Sequence, residues 1–335
     1  MATVSAQPVT PHRHRTTSLP LVGFAAVLGS AALFGTLGPL SRFAYEAGAE
    51  PAAWVSWRGL TGLLTLLALI AWRSRRRISA VARNIPGRAR AALLTAAVMG
   101  LTLNLCMFFA FDRITIALAL LCFYTYPAMV AVVNVVLGRE RLDAARAVAL
   151  GLALIGMTMV VASQLDPAAG IRLDALGIAL ALGAALSQTV YVVVSRDGYH
   201  EVPTEQAIAV VMIVTTFGAA TVAVIGAGPA ALVPPLDSPG FLPLLLFTGI
   251  FAAAIPSLGF LYGIRAIGGL RAGILMLFEP VVGVALAAWL LAERLQPIQL
   301  AGAAAILAAA IILQRTGRPT DRPVSHAAVA VGGGP

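Results

Sequence analysis

Long apolar segments separated by short polar stretches run through most of the chain, and this pattern predicts membrane-spanning helices. A helix that crosses a hydrocarbon core about 30 Å thick needs about 20 apolar residues. Ten segments of the sequence approach or exceed that length. The predicted spans cover residues 19–41, 53–72, 91–111, 115–138, 147–163, 175–195, 206–228, 241–264, 272–292 and 296–314.

The composition supports the same class of protein. Hydrophobic residues make up 59% of the sequence and charged residues only 11%, whereas soluble domains carry about 25% charged residues. The chain therefore lacks the charge needed to cover a water-facing surface. The sequence predicts an all-α integral membrane protein in contact with the lipid bilayer.

The basic residues are all arginines, and their distribution predicts the orientation. With the N-terminus inside, eighteen arginines fall on the cytoplasmic side and four on the other side. Such an excess is the usual cytoplasmic signal, and the arginine cluster at 72–77 abuts apolar segments, so we expect no nucleic-acid partner. We predict a multi-pass protein of the cytoplasmic (inner) membrane, with flexible cytoplasmic tails at 1–18 and 315–335.

Two parts of the sequence repeat each other. The segment YPAMVAVVNVVLGRERL (126–142) resembles EPVVGVALAAWLLAERL (279–295) at an offset of 153 residues. Five predicted spans lie on each side of residues 165–173, and an odd number of spans inverts the second copy in the membrane. We therefore predict ten helices in two inverted five-helix repeats, 19–164 and 174–314. Such repeats place substrate sites near the midplane, between halves that rock for alternating access.

The sequence resembles the EamA-type permeases of the drug/metabolite transporter superfamily. The resemblance rests on FGTLGPLSRFAYEAGAEPAAWVSWRG (34–59), on the two repeated segments, and on GRERLDAARAVALGLALIGMTMV (138–160) with its counterpart at 292–314. It implies ATP-independent export or exchange of small metabolites, commonly amino acids, bases or drugs. Phe34 departs from the pattern, because relatives often carry Trp there.

A carboxylate, Glu279, falls inside an apolar segment. It lies about 12 Å past Arg271 along a helix, at a depth where an acidic residue costs about 2.5–3.5 kcal/mol, so it should face the bundle interior. One interpretation is a group that couples protons or recognises a substrate amine. The other is a protonated structural acid, bonded across helices to carbonyls freed by Pro280. The equivalent residue of the first repeat is Tyr126.

Arg58 is the second charge predicted at membrane depth. A direct pair with Glu279 would require long side-chain reach, so we favour an arginine that extends outward or bonds helix-end carbonyls. Glu140 and Glu293 sit beside arginines at helix ends, where anchors or local ion pairs are favoured over a gating role. Pro127, Pro256 and Pro280 should each interrupt a long helix; we interpret Pro127 and Pro280 as structural or gating residues.

Neutral polar residues complete the candidate site. Each of these residues has two alternative roles, lining a cavity or hydrogen-bonding one helix to another, and the sequence favours neither. Ser187 and Tyr191 share one face of a helix because they are four residues apart. The substrate-binding or coupling candidates are Glu279, Tyr126, Asn104, Gln188, Tyr191 and Ser187.

These observations predict a secondary transporter that exports small metabolites such as amino acids, with proton coupling as an option. The alternative is an exporter or flippase of hydrophobic drugs or lipid-linked intermediates on the same fold. We expect no enzymatic activity, because no nucleophile with a base and no acid pair lies at membrane depth, and we expect no cofactor or metal site. One chain holds both repeats, so a monomer suffices and a homodimer is compatible.

Overall fold

The computed structural model describes residues 18–73, 85–139, 142–163, 174–291 and 296–315. Within these ranges the chain forms α-helices, a 3₁₀ turn (Pro229–Leu232) and a π-helical turn (Ile250–Ala254), and no strand. The helices are α1 (Ser18–Phe34), α2 (Leu37–Glu46), α3 (Pro51–Arg73), α4 (Gly87–Arg113), α5 (Ile116–Phe123), α6 (Tyr126–Val136), α7 (Ala144–Ala162), α8 (Ala175–Asp197), α9 (Thr204–Ala227), α10 (Phe241–Gly249), α11 (Ile255–Ile267), α12 (Gly269–Met276), α13 (Glu279–Leu291) and α14 (Pro297–Arg315).

The ten predicted spans are all present as helical segments. In the described part of the chain, nine segments are long and apolar enough to cross a membrane. The tenth is α12 followed by α13, over the predicted span 272–292. The all-α fold class is therefore confirmed, and the largest boundary error is at the first span, which continues to Glu46.

Four spans are built from two helices each. The chain turns between α1 and α2, between α5 and α6, and between α12 and α13, and a π-helical turn separates α10 from α11. Pro127, Pro256 and Pro280 are each the second residue of the helix that restarts. At Pro127 and Pro280, which follow a turn, a missing N–H costs no helical hydrogen bond. The break after Phe34 contains no proline and was not predicted from the sequence.

The helices pack in a pattern that repeats between the two halves. The third span (α4) contacts the sixth (α8), and the eighth (α11) contacts the first (α1) in the same way. The second and seventh spans (α3 and α9) pack together, as do the fifth and tenth (α7 and α14). Exchanging the two halves converts the α4–α8 pair into the α11–α1 pair. The α3–α9 pair and the α7–α14 pair are each converted into themselves. Because each half has five spans, the two halves have opposite orientations.

Small residues allow α7 and α14 to approach closely. A Cβ atom on Gly156 would lie 2.5 Å from the carbonyl oxygen of Gly302, and a Cβ on Gly302 would lie 2.5 Å from that of Gly156. Glycine at both positions lets the two backbones touch, as is usual where membrane helices associate without a hydrophobic driving force.

An ion pair joins the two repeats at one end of the bundle. Arg113, the last residue of α4, donates to the Asp174 carboxylate at 2.9 Å, and Asp174 also caps α8 by accepting from the Leu176 N–H. These hydrogen bonds, chiefly the one from Arg113, hold the pKa of Asp174 below its ordinary value. The pair is largely exposed, so it positions α8 more than it stabilises the fold.

Several sequence predictions concern residues outside the described ranges. Glu140 and Glu293 are among them, as are residues 1–17 and 316–335 of the predicted tails and most of the arginine cluster after α3.

Candidate functional site

A cavity of about 1240 Å³ lies between the two repeats. Its wall includes residues of α2, α3, α4, α8, α11 and the paired helices α5–α6 and α12–α13. One end reaches the exposed residues Arg42, Glu46 and Asp112, at helix ends opposite the arginine-rich loops. At the other end the lining consists of buried residues such as Tyr126 and Met276. The cavity therefore opens toward the arginine-poor face of the bundle.

Glu279 lines this cavity at the start of α13. The helix break at Leu277 and Phe278 places the acid in the first turn, where free backbone N–H groups favour negative charge. The Tyr124 hydroxyl is buried without a regular hydrogen bond, and the Glu279 carboxyl group is the polar group beside it. Gly35 permits this arrangement, because a Cβ there would lie 2.6 Å from the Glu279 carbonyl oxygen.

Tyr126 holds the equivalent position in the first repeat. It is the first residue of α6, as Glu279 is the first residue of α13, and it also lines the cavity. Its side chain is 1% exposed. The hydroxyl donates to the Gly273 carbonyl at 3.5 Å and lies next to Gln188. Two equivalent helix breaks therefore present an acid from one repeat and a phenol from the other.

Arg58 is buried in the cavity wall, with 5% of its surface exposed. Nη2 donates to Asn104 Oδ1 at 2.6 Å and Nη1 to the Ala252 carbonyl at 3.3 Å, while the guanidinium lies 5.0 Å from the centre of the Phe108 ring. In the described part of the chain, Arg58 and Glu279 form no salt bridge with each other or with another residue. The arginine does not extend outward; it bonds a carbonyl of a distorted helix.

The distortion near Pro256 accounts for that free carbonyl. In a regular α-helix the Ala252 carbonyl would accept from the N–H of residue 256, and proline has none. The π-helical turn ends at Ala254, immediately before the helix that carries Pro256. The sequence prediction placed an interruption here but did not connect it with Arg58.

The other predicted residues divide between the cavity and the helix contacts. Asn104, Gln188, Tyr191 and Pro280 line the cavity. Ser187 is buried outside the lining, and its hydroxyl donates to the Gly183 carbonyl at 2.8 Å. Pro127 packs against Gly273, whose added Cβ would lie 3.5 Å from the proline Cβ.

Three residues of the site were not identified from the sequence. Tyr45 and Gly35 line the cavity from the first span, and Ser257 lines it from α11. Ser257 stands 153 residues after Asn104, the offset of the repeat, so that signal could have found it. The sequence marks Tyr45 only as part of SRFAY (41–45), which SRDGY (195–199) echoes at an offset of 154 residues; the fold of α2 toward α3 is what brings it near Arg58.

The sequence matches known proteins along almost its whole length. A model of the EamA-like transporter family matches twice, over residues 21–162 and 175–315. The chain belongs to the EamA-like transporter family. It is therefore a multi-pass membrane transporter of the drug/metabolite transporter superfamily, as the sequence resemblance implied, and the double match confirms two repeats.

One relative and one solved structure illustrate the match. The chain is 27% identical over 296 residues to an uncharacterized transporter of Archaeoglobus fulgidus, covering 88% of this chain and 96% of the relative. A crystal structure with 20% identity superposes with a TM-score of 0.74, over 91% of this chain and 99% of its own. At that identity the superposition shows a shared fold only.

Proposed function

We propose that this EamA-like transporter exports small polar metabolites, such as amino acids, across the cytoplasmic membrane by alternating access. The observation that carries the proposal is a cavity between the repeats that is lined by Arg58, Asn104, Gln188 and Glu279. A polar substrate would find hydrogen-bond partners there, whereas a hydrophobic drug or lipid-linked substrate would leave these groups unpaired. Both repeats come from one chain, so a monomer suffices.

Glu279 is the proposed coupling group. Its carboxyl group lies at a helix break, beside the Tyr124 hydroxyl and within the cavity wall. The other acids that line the cavity among the described residues, Glu46 and Asp112, lie at the ends of their membrane spans, whereas Glu279 lies inside its span. When the cavity faces one side and then the other, this group can take up a proton or hold a substrate amine on one side and release it on the other. The arginine distribution indicates that the arginine-rich face is cytoplasmic, and export is the direction that we propose.

Transport into inverted vesicles tests the proposal. Candidate substrates come from comparing the medium and cytoplasm of cells that overproduce the protein, and each is then measured with and without a proton gradient. We expect gradient-dependent uptake in the wild type. Glu279→Gln keeps the size and hydrogen-bonding capacity of the side chain but removes its ability to take up and release a proton, so the gradient-dependent part of the uptake should be lost. Tyr126→Phe, at the equivalent position, should keep gradient dependence.

Two results would contradict the proposal. If no metabolite accumulates in the medium or in vesicles, the transport assignment fails. If a metabolite is transported and Glu279→Gln responds to the gradient as the wild type does, the coupling role fails while transport stands.

A further inference from the structure

The charge of Arg58 has no partner of opposite sign in the described part of the chain. Its guanidinium meets the Asn104 amide, the Ala252 carbonyl and the Phe108 ring, all neutral. A buried charge without a counter-ion is costly, so a position of this kind favours an anion that enters from outside the protein.

Two buried polar atoms beside this charge also lack hydrogen bonds. Arg58 Nε and Tyr45 Oη are shielded from solvent and have no partner. The two side chains interact electrostatically, and both line the cavity. The protein therefore leaves one N–H and one O–H in this part of the cavity wall without an acceptor of their own. Asn104 and Ala252 hold the other guanidinium nitrogens, so the orientation of the free edge is fixed before any ligand binds.

The two buried ionisable residues lie in different repeats, and neither has an ionisable counterpart of the same kind in the other repeat. At the repeat offset, Arg58 corresponds to Val211 or Met212, both apolar, whereas Glu279 corresponds to Tyr126. Arg58 lies about 10 Å from the Pro51 end of α3, nearer the cavity mouth, and Glu279 lies about 15 Å from the Gly269 end of its span. The cavity is thus positive in one place and acidic in another.

We propose that Arg58 and Tyr45 form a carboxylate subsite, and that the substrates of this transporter carry a carboxylate that binds there. A single guanidinium neutralises a monoanionic carboxylate, whereas a phosphate monoester carries about −1.5 to −2 and would leave excess charge buried. Arg58 Nε and Tyr45 Oη donate to the carboxylate oxygens, and Asn104 positions the guanidinium. The inference deepens the proposed function, because it names the chemical class that the same cavity accepts.

Binding to purified wild-type protein in detergent tests the subsite independently of transport. The probes are the standard L-amino acids and, for each one that binds, its amide, its decarboxylated amine and its deaminated acid; O-phosphorylethanolamine is tested as a phosphate without a carboxylate. Isothermal titration should show that the amide and the amine bind at least about tenfold more weakly than the parent, because each loses a charge-assisted hydrogen bond. The deaminated acid should retain the Arg58-dependent part of the affinity.

Three variants test which residues are responsible for carboxylate binding. Tyr45→Phe should weaken carboxylate binding about tenfold. Asn104→Asp supplies Arg58 with an internal counter-ion, so we expect an unchanged or higher melting temperature together with loss of carboxylate binding. Arg90→Gln is the matched control, because Arg90 is an exposed arginine outside the cavity lining that donates to the Ile85 carbonyl of its own segment; its affinities should equal those of the wild type.

The subsite is overturned if the amide or O-phosphorylethanolamine binds as tightly as the amino acid, if Asn104→Asp binds the acid unchanged, or if no carboxylate in the panel binds. Carboxylate binding that Asn104→Asp abolishes, in a protein that transports nothing, would leave the subsite standing and contradict the proposed function instead.

Discussion

Neutral groups surround both buried charges of this transporter at the scale of single residues. Arg58 is held by an amide, a carbonyl and an aromatic ring, and Glu279 lies beside a phenol. A salt bridge inside the protein would satisfy each charge permanently, and a ligand would then have to break it. Neutral partners orient the charges and leave their electrostatic interaction available to a substrate or a proton.

Gly35 provides the first prediction at this scale. A Cβ at this position would lie 2.6 Å from the Glu279 carbonyl oxygen and 3.2 Å from the Gly283 nitrogen, so Gly35→Ala should push α13 away from the first span. We expect a cost of about 1–3 kcal/mol, as for other overpacked sites, and reduced transport. Thermal unfolding of the purified variant measures the first effect and vesicle uptake the second.

Gly29→Ala is the matched control for this prediction. Gly29 lies on the same span, and no atom lies within 4 Å of its added Cβ. Alanine in an open helical position should stabilise by a few tenths to about 1 kcal/mol. An equal loss of stability in both variants would show that the contact with Glu279 does not limit packing.

The sequence identified those site residues whose position depends on the repeat. Glu279 and Tyr126 were paired by the offset of 153 residues, and the structure places both at the first position of a restarted helix. Ser187 was expected with Tyr191 on one helical face, yet it lies outside the cavity lining. A helical face spans a wide arc, and only the packing of neighbouring helices decides which part of it borders the cavity.

Helix breaks determine the site at the scale of secondary-structure elements. The fourth and ninth spans break at equivalent positions, between α5 and α6 and between α12 and α13. The eighth span breaks through a π-helical turn, whereas its counterpart α4 is continuous. Prolines predicted these three interruptions, since proline removes a backbone donor. The break of the first span has no proline between α1 and α2; it lies at Gly35, where a Cβ would be 2.6 Å from the Glu279 carbonyl oxygen.

Pro256 provides the prediction for an element. Pro256→Ala restores an N–H that can bond the Ala252 carbonyl of the π-helical turn, and this N–H then competes with Arg58 Nη1 for that carbonyl. We expect equal or higher thermal stability, because alanine suits a helix better, together with lower transport, because the guanidinium loses one of its two fixed partners. Both quantities are measured on the same purified protein, by thermal unfolding and by uptake after reconstitution.

Pro243→Ala serves as the control for this change. Pro243 is exposed in the first turn of α10, where a missing N–H costs no helical hydrogen bond. Its replacement should leave transport unchanged. If Pro256→Ala transports at the wild-type rate, the freed carbonyl is not needed to hold Arg58.

At the scale of the whole molecule, the cavity is open toward the arginine-poor face. Alternating access requires a second arrangement that is open toward the arginine-rich face, so contacts that close this face must break in each cycle. We expect Arg265, near the end of α11, to form such a contact. It donates to the Val202 carbonyl at 2.9 Å, the Thr204 hydroxyl at 3.1 Å and the Tyr199 carbonyl at 3.1 Å.

These contacts join α11 to the connection between α8 and α9. The guanidinium also lies 5.2 Å from the centre of the Tyr199 ring, and the Tyr199 hydroxyl is hydrogen-bonded to Ser195. Hydrogen bonds to a charged group contribute about 1.5–3 kcal/mol each. Loss of one such contribution changes a two-state ratio by about tenfold or more, so Arg265 has enough influence to set which face is open.

Arg265→Gln should therefore raise the population that is open toward the arginine-rich face. The reporter is a cysteine at Ser257 in the cavity wall, in a background with Cys106 and Cys122 changed to alanine. A membrane-impermeant thiol reagent is added to right-side-out or inside-out vesicles. Without the Arg265 change, labelling should occur in right-side-out vesicles, where the arginine-poor face is outside. Arg265→Gln should increase labelling in inside-out vesicles severalfold.

Arg90→Gln separates this effect from a general loss of positive charge at the same face. Arg90 is exposed and donates only a long bond, 3.4 Å, to the Ile85 carbonyl of its own segment, so its replacement should leave the labelling pattern unchanged. If Arg265→Gln labels as the wild type does from both sides, the contacts of α11 with the α8–α9 connection do not control opening. Labelling of the wild type chiefly in inside-out vesicles would instead contradict the orientation inferred from the arginines.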